Sequence, residues 1–432
     1  MRCKRIAWRT ALVAVAALVA PAAAHANEVT HWNLVATNTL TSPLYALASG
    51  GAPPASQINM AMTQGAVYDA VNAIEPRNRP YLLKTRFDAG ASKEAAAATA
   101  AFRVLFYVVA TAPAFPAQLD FLQTLLTEYT NSLAAIPDSP SKSAGISAGN
   151  AAADAMIVAR YGDGRFGPSQ WVPSHDIGHW WPLQNPDGTL ILDPTPWVGG
   201  VKPFLMKSSS QFRTDGPNAL TSDAYTEDFK EVKALGSVNS TARTPEQTHI
   251  ALFWQSTPVA TWNALGRTLA EDPQYHLDIS DSALLLARQN LAAADAGINC
   301  WNDKYYWDFW RPWQAIHEAA RDENPATEAD VSWTSLLTAP YPDHPSGHLC
   351  NDGAHLRVLK RFFGTDKIPF DLTSRGFPGE TRHFDRFSRA LREITSARVW
   401  AGLHFRTADV QAKILGRKVA HYMAKHYFQP LD

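Results

Sequence analysis

The chain has 432 residues, 46% apolar and 18% charged, which is enough for one large globular domain or two helical bundles. Lys and Arg number 39 against 40 Asp and Glu, so no global field favours nucleic acid or an anionic membrane. An anion site here must be built locally, from a few converging cations, and the 14 tryptophans are many for this length and suit a walled, partly dry cavity.

The first 26 residues read as a targeting segment. Arg2, Lys4, Arg5 and Arg9 form a basic region, Ala11 to Ala20 a short apolar run, and Ala24-His25-Ala26 a cleavage signal. The apolar run is too short to span a bilayer. The expectation is a signal peptide over 1–26, a mature chain starting at Asn27 with no membrane span, and export to the periplasm or secretion. From Asn27 to about Pro54 the mixture of Thr, Ser, Asn, Gly and Pro predicts an extended arm or loop. Helical spacing then covers Ser56 to Ile74, Ser92 to Ala112, Phe115 to Ala135 and Ser141 to Tyr161. From Gly164 to about Ser222 no period is sustained. A loop this long is usually functional or a cover. It holds Trp171, His175, His179, Trp180 and Trp181, and its Asp176-Ile177-Gly178-His179 phrase favours wall packing over a metal site.

Helical patterns resume at Ala224 to Leu235 and at Thr244 to Trp254, the latter opened by a capping signal. They continue over Trp262 to Ala270, Asp281 to Cys300, Tyr305 to Ala319, His348 to Phe363, Thr381 to Gly402 and Ala408 to Tyr427. Strand-like alternation is nearly absent. The fold class expected is therefore all-α, two packed helical bundles, with an N-terminal half over 27–221 and a C-terminal half over 222–432.

Three stretches carry chemistry. In Lys304-Tyr305-Tyr306-Trp307-Asp308-Phe309-Trp310-Arg311-Pro312, two cations seven positions apart would share one side of a helix, with aromatics between them. In Tyr341-Pro342-Asp343-His344-Pro345-Ser346-Gly347-His348, Pro345 suits the first turn of a helix. Gly347 admits a ligand close to the backbone, Ser346 offers a hydroxyl, and His348 can pass a proton. In Ser396-Ala397-Arg398-Val399-Trp400-Ala401-Gly402-Leu403-His404, Arg and His are six apart, with a glycine at the helix end. Asp343 and His344 would tune His348 or face solvent, and His355 would pack. Cys300 and Cys350 each adjoin a motif, and a disulfide between them would tie two motif-bearing helices together.

Lys-x6-Arg-Pro, Pro-Ser-Gly-His and Ser-x-Arg-x5-His, in this order, resemble the signature of the vanadium-dependent haloperoxidase and type 2 phosphatidic acid phosphatase superfamily. The resemblance covers Trp301 to Asp409 and implies an all-helical fold and a vanadate cofactor, whose site phosphate may also occupy. It implies that Lys304, Arg311 and Arg398 bind the equatorial oxygens, with Ser346 and the Gly347 N–H. His404 would be the axial vanadium ligand and His348 the acid–base group, while Trp301 and Tyr341 would line a halide pocket. Ala397 between Ser396 and Arg398, and Asp409 one position late, depart from the commoner pattern and put the support of His404 in question.

The implied reaction is oxidation of a halide, bromide or iodide over chloride, by hydrogen peroxide, with a small organic acceptor downstream. Two other readings use the same cradle. One is a secreted acid phosphatase working through a phosphohistidine on His404. The other is a non-catalytic exported phosphate- or vanadate-binding protein, which would need the cations but neither histidine. Length and the extra N-terminal half favour the haloperoxidase.

Overall fold

The computed structural model describes residues 27–48, 53–168 and 171–431. The expected signal peptide over 1–26 lies outside them. Helices dominate, as the patterning predicts.

The N-terminal half departs from expectation at once. Where an arm is predicted, α1 runs over Glu28–Leu40 and is followed by the short α2, Pro43–Ala46. The polar composition misleads because several polar residues of α1 are buried and paired. Asn33 donates to Asn263 Oδ1 (2.8 Å), Arg267 donates to Asn33 Oδ1 (2.6 Å), and the Trp32 indole donates to Ser132 (3.1 Å). Asn27 caps the helix, accepting from the N–H groups of Val29 and Thr30. The predicted helices follow as α3 (Ala55–Ile74), α4 (Lys93–Ala110), α5 (Gln118–Ala134) and α6 (Pro140–Arg160).

Residues 164–168 and 171–222 form the long cover, with a small hairpin of β1 (Leu183–Gln184) and β2 (Leu190–Ile191). Then come α7 (Asp223–Leu235), α8 (Pro245–Phe253), α9 (Pro258–Glu271), α10 (Ile279–Trp307), α11 (Pro312–Glu318) and α12 (Gly347–Phe362). α13 (Phe387–Trp400) and α14 (Arg406–His426) end the helical set. The helix predicted from Thr381 starts late. Phe370–Thr373 (β3) and Thr381–Phe384 (β4) pair as an antiparallel hairpin, with Phe370 opposite Phe384 and their rings 5.5 Å apart.

The 29-residue α10 is the central element. A reciprocal Asp278/Asp281 capping box starts it, and Asp308, in the left-handed region at φ 46°, ends it. It packs against α3 on the N-terminal side and against α12 and α14 on the other. One apolar cluster runs through both groups of helices, from Val29 to Phe428. α12 and α14 cross closely because glycines face backbone there: a Cβ on Gly416 would stand 2.1 Å from the Cys350 carbonyl oxygen. Cys300 of α10 and Cys350 of α12 are joined by a disulfide, with Cα atoms 6.3 Å apart. Two of the helices that carry motif residues, α10 and α12, are thus fixed to each other.

Candidate functional site

The three stretches converge between α10, α12 and the α13–α14 turn. Lys304 lies in the last turn of α10. Arg311 is not on the same helix, contrary to the expectation of a shared face. The chain breaks at Asp308, and Arg311 becomes the N-cap of α11, its N–H donating to Gln314 Oε1 (2.9 Å). The break brings both cations inward: Lys304 is 0% and Arg311 1% exposed. Arg398, 4% exposed, comes from the last turn of α13, and Gly402, at φ 71°, turns the chain so that His404, 1% exposed, points back.

Pro345 also sits differently from its predicted place. α12 begins at Gly347 with Ser346 as N-cap, so Pro345 precedes the cap. The Ser346 hydroxyl makes no capping bond. It is buried without a hydrogen-bond partner, as are Arg311 Nη2 and Arg398 Nε. Buried donors are rarely left unmet, and each unmet one costs about 1–3 kcal/mol. The other donors of these groups are bound inward, which fixes their direction. Lys304 Nζ donates to the carbonyls of Pro342 (2.8 Å) and Asp343 (3.0 Å). Arg311 donates to those of Tyr341 (2.8 Å) and Leu403 (2.6 Å), and Arg398 to that of Trp254 (3.3 Å). Burial and the Arg311 charge push the Lys304 ammonium well below its usual pKa, a tendency the carboxylates of Asp343 and Asp193 oppose.

His404 is set by two neighbours. Its Nδ1 lies 2.7 Å from Asp343 Oδ1, and its Nε2 lies 3.4 Å from Arg311 Nη1. A guanidinium only donates. The Nε2 facing it therefore carries a lone pair, and the proton sits on Nδ1 toward Asp343. Burial, then Arg311, Lys304 and Arg398, hold His404 well below its ordinary pKa, so the ring is neutral. Asp343 supplies the orientation that the shifted Asp409 put in question. It neither tunes His348 nor faces solvent, being fully buried with its carboxyl raised to about 7 by that burial. His344 is also buried and bonds Thr214 (3.0 Å) through Nε2. Asp409, fully buried, neighbours Ser346 and Arg398.

His348, half-buried, is held by a different partner. Its Nε2 is 3.3 Å from the Ser256 carbonyl oxygen. A carbonyl only accepts, so Nε2 donates and Nδ1 is left with a lone pair. It lines a narrow cleft of about 20 Å³ together with Trp301, Tyr341 and Gly347, room for about one water-sized molecule. Trp301 and Tyr341 lie 5.1 Å apart, and the Lys304 ammonium sits 5.6 Å and 5.1 Å from their ring centres. A Cβ on Gly347 would come within 2.8 Å of the Trp301 ring. Gly347→Ala should therefore push Trp301 aside and cost about 1–3 kcal/mol, read as a lower melting temperature.

Two residues escape sequence reading. Asp193, in the long cover, accepts from the Trp301 indole (3.0 Å) and the Tyr305 hydroxyl (2.6 Å). No motif surrounds it, and only the fold brings it to α10. Ser256 contributes a carbonyl, which no side-chain pattern can announce. His355 bonds Gln57 (3.1 Å) in the packing between α12 and α3. In the cover, His179 pairs with Asp308 (3.1 Å) and Trp180 is buried.

The donor set has a definite chemistry. Three cations, a hydroxyl and a histidine with an outward lone pair suit an oxyanion whose central atom could also accept a nitrogen donor. Among the described residues no three His, Cys, Asp or Glu side chains gather as they would around a bare divalent cation. The fold is mostly helical, and the cluster at its centre has the donor chemistry of an oxyanion site.

Residues 284–432 match the family described as the VCPO second helical-bundle domain. The chain is 26% identical over 297 residues to vanadium chloroperoxidase from Curvularia inaequalis, over 51% of this chain and 48% of that protein. It thus spans about half the length of that curated relative. Among solved structures, a bacterial vanadium-dependent iodoperoxidase superposes with TM-score 0.75 at 22% identity, covering 93% of this chain and 97% of that one. A holo bacterial vanadium-dependent chloroperoxidase gives TM-score 0.69 at 17% identity, covering 90% and 94%. The C-terminal third of the chain thus resembles the second helical bundle of the vanadium haloperoxidases, and the whole fold is similar to that of the solved bacterial ones.

Proposed function

We propose that this protein is a vanadium-dependent haloperoxidase that oxidises bromide or iodide with hydrogen peroxide to a hypohalous acid equivalent. The observation that carries the reading is His404: a neutral ring, oriented by Asp343, presenting Nε2 among donors that have no partner. Vanadate is the cofactor that fits. His404 Nε2 would bind its vanadium. Lys304, Arg311, Arg398, Ser346 and the Gly347 N–H would bind its oxygens. Bound vanadate supplies Lewis acidity that makes peroxide electrophilic toward a halide, without a change in its own oxidation state.

The remaining work belongs to the protein. The converging cations neutralise the anion in a site already built for it, so little reorganisation is needed during reaction. Lys304, fixed by two carbonyls, keeps a third donor for the peroxide oxygen. His348, with its Nδ1 lone pair at the cleft, takes the proton that peroxide must lose and returns one to the departing oxygen. Trp301 and Tyr341 narrow the way to Lys304 and keep bulk water low there. The same cradle would hold phosphate. The haloperoxidase relatives and the extra N-terminal half, which packs on the motif-bearing α10, support halide oxidation over ester hydrolysis.

Equilibrium dialysis against orthovanadate tests the cofactor. One vanadium per chain, displaced by excess phosphate, is the expected result, and no retained vanadium would sink the reading. Asp343→Ala should weaken binding by about 10–100-fold, the usual effect of losing the group that orients a ligating histidine. An unchanged affinity would remove Asp343 from that role.

The wider setting follows from the reading. The partners are hydrogen peroxide, a halide and a small organic acceptor. Export to the periplasm or beyond is proposed from residues 1–26. Among the described residues, no helix is long and apolar enough to cross a membrane.

A further inference from the structure

A second hollow lies on the other side of Trp301. It has a volume of about 750 Å³, within the range of pockets that enclose small organic ligands. Five aromatic rings line it: Trp171, Trp197, Trp301, Tyr305 and Tyr306. Each is held by something behind it. The Trp171 indole donates to Asp308 (2.8 Å), Trp197 packs on Phe166 (4.9 Å), and Trp301 and Tyr305 both donate to Asp193. Tyr306 carries the Arg213 guanidinium 3.7 Å over its ring.

Arg213 is the one charged residue lining the hollow among the described residues. Its charge is paired, with Nη1 3.3 Å from the buried Asp303 carboxylate though without a hydrogen bond, and Nη2 donates to Asn302 Oδ1 (2.6 Å). The hollow therefore offers π surface without an uncompensated charge. Preoriented rings bind flat aromatic molecules well, because little side-chain freedom is lost on contact. Trp301 also lines the inner cleft beside Gly347 and His348. Trp301 is thus a wall shared by the hollow and the inner cleft.

We propose that this hollow binds the organic acceptor, a neutral, planar, electron-rich aromatic of the phenol or indole class, one ring's width from where the oxidised halogen is released. The reaction, though not the binding, rests on the haloperoxidase reading. The π pair of the acceptor bonds the halogen of hypohalous acid as the O–halogen bond breaks. The departing hydroxide takes the ring proton and leaves as water.

Gly200 gives a clean test. It lines the hollow, and a Cβ there would meet nothing within 4 Å, whereas one on neighbouring Gly199 would meet the Asn302 backbone N at 2.6 Å. Gly200→Trp should fill the hollow without touching the cradle. Binding is read by saturation-transfer NMR with indole, on protein free of vanadate and peroxide. Indole should bind the wild type, lose about tenfold in affinity in Gly200→Trp, and be preferred over benzoate. With vanadate and peroxide, triiodide formation from iodide, which needs no organic acceptor, should proceed at the same rate in both proteins. Bromination of phenol should show a raised KM in the variant. Equal indole binding by both proteins, or benzoate binding as well as indole, would overturn the proposal. Absence of triiodide from both would refute the haloperoxidase reading alone, and the binding result would still decide the hollow.

Discussion

His404→Ala is expected to abolish tight vanadate binding, with affinity falling by about three orders of magnitude, roughly 4 kcal/mol. The size follows from what the ring does. Its Nε2 lone pair faces Arg311 with the ring fixed by Asp343, whereas the nearby His348 is tied instead to the Ser256 carbonyl. Arg311 and Arg398 would still attract an oxyanion, so weak, phosphate-like binding should survive. The check is equilibrium dialysis of vanadate and phosphate side by side. A variant that loses both equally has lost the cradle's shape, and one that keeps vanadate unchanged has no axial role at this position. Loss of vanadate with retention of weak phosphate binding is the pattern expected of a ligand removed from an intact charge cluster.

His348→Ala is expected to separate binding from turnover. The ring touches the Ser256 carbonyl and lines the cleft, and it holds no other partner that the cradle needs. Vanadate affinity should therefore change only a few-fold. Halide oxidation at saturating vanadate should fall by about 10²–10⁴, the usual range for a lost acid–base group. The loss should lie in kcat, with the halide KM nearly unchanged. Full turnover in this variant would end the proton-carrier assignment. The two histidines would then differ in kind: one variant loses the cofactor, the other keeps it and stalls.

Most of this site is legible in the sequence because its residues recur in three short stretches with fixed spacing. Lys304, Arg311, Ser346, Gly347, His348, Arg398 and His404 all meet, although the stretches lie on different elements. What the spacing cannot carry is the path between them. Lys304 and Arg311 look like two turns of one helix, yet Asp308 breaks that helix and the two cations meet across the break. A one-residue change to a left-handed backbone leaves no periodic trace. α1 was invisible for another reason. Helical spacing is read from apolar residues, and here the buried face includes Thr30 and Thr37, whose hydroxyls donate to the Asn27 and Asn33 carbonyls, and Asn33, whose partners Asn263 and Arg267 lie far along the chain.

Supporting residues are the least legible. Asp343 stands inside a quoted motif, yet its partner is 61 residues downstream. Asp193 lies in the long cover and reaches Trp301 only through the fold. Both act through another side chain, and such partners need no fixed sequence distance. The orphaned donors of Ser346, Arg311 and Arg398 tell the same story in reverse. Their meaning appears only when they are seen to converge on one space.

The oxyanion proposed for that space is vanadate used to oxidise a halide, not phosphate awaiting hydrolysis. One paired assay tests it. Purified protein, loaded with orthovanadate and freed of excess, is given bromide or iodide with peroxide. The same unloaded protein, in metal-free buffer, is given a phosphate ester. Halide oxidation proportional to bound vanadium, with phosphate competing, is the predicted result. Rapid ester hydrolysis with no oxidation of any halide would contradict it.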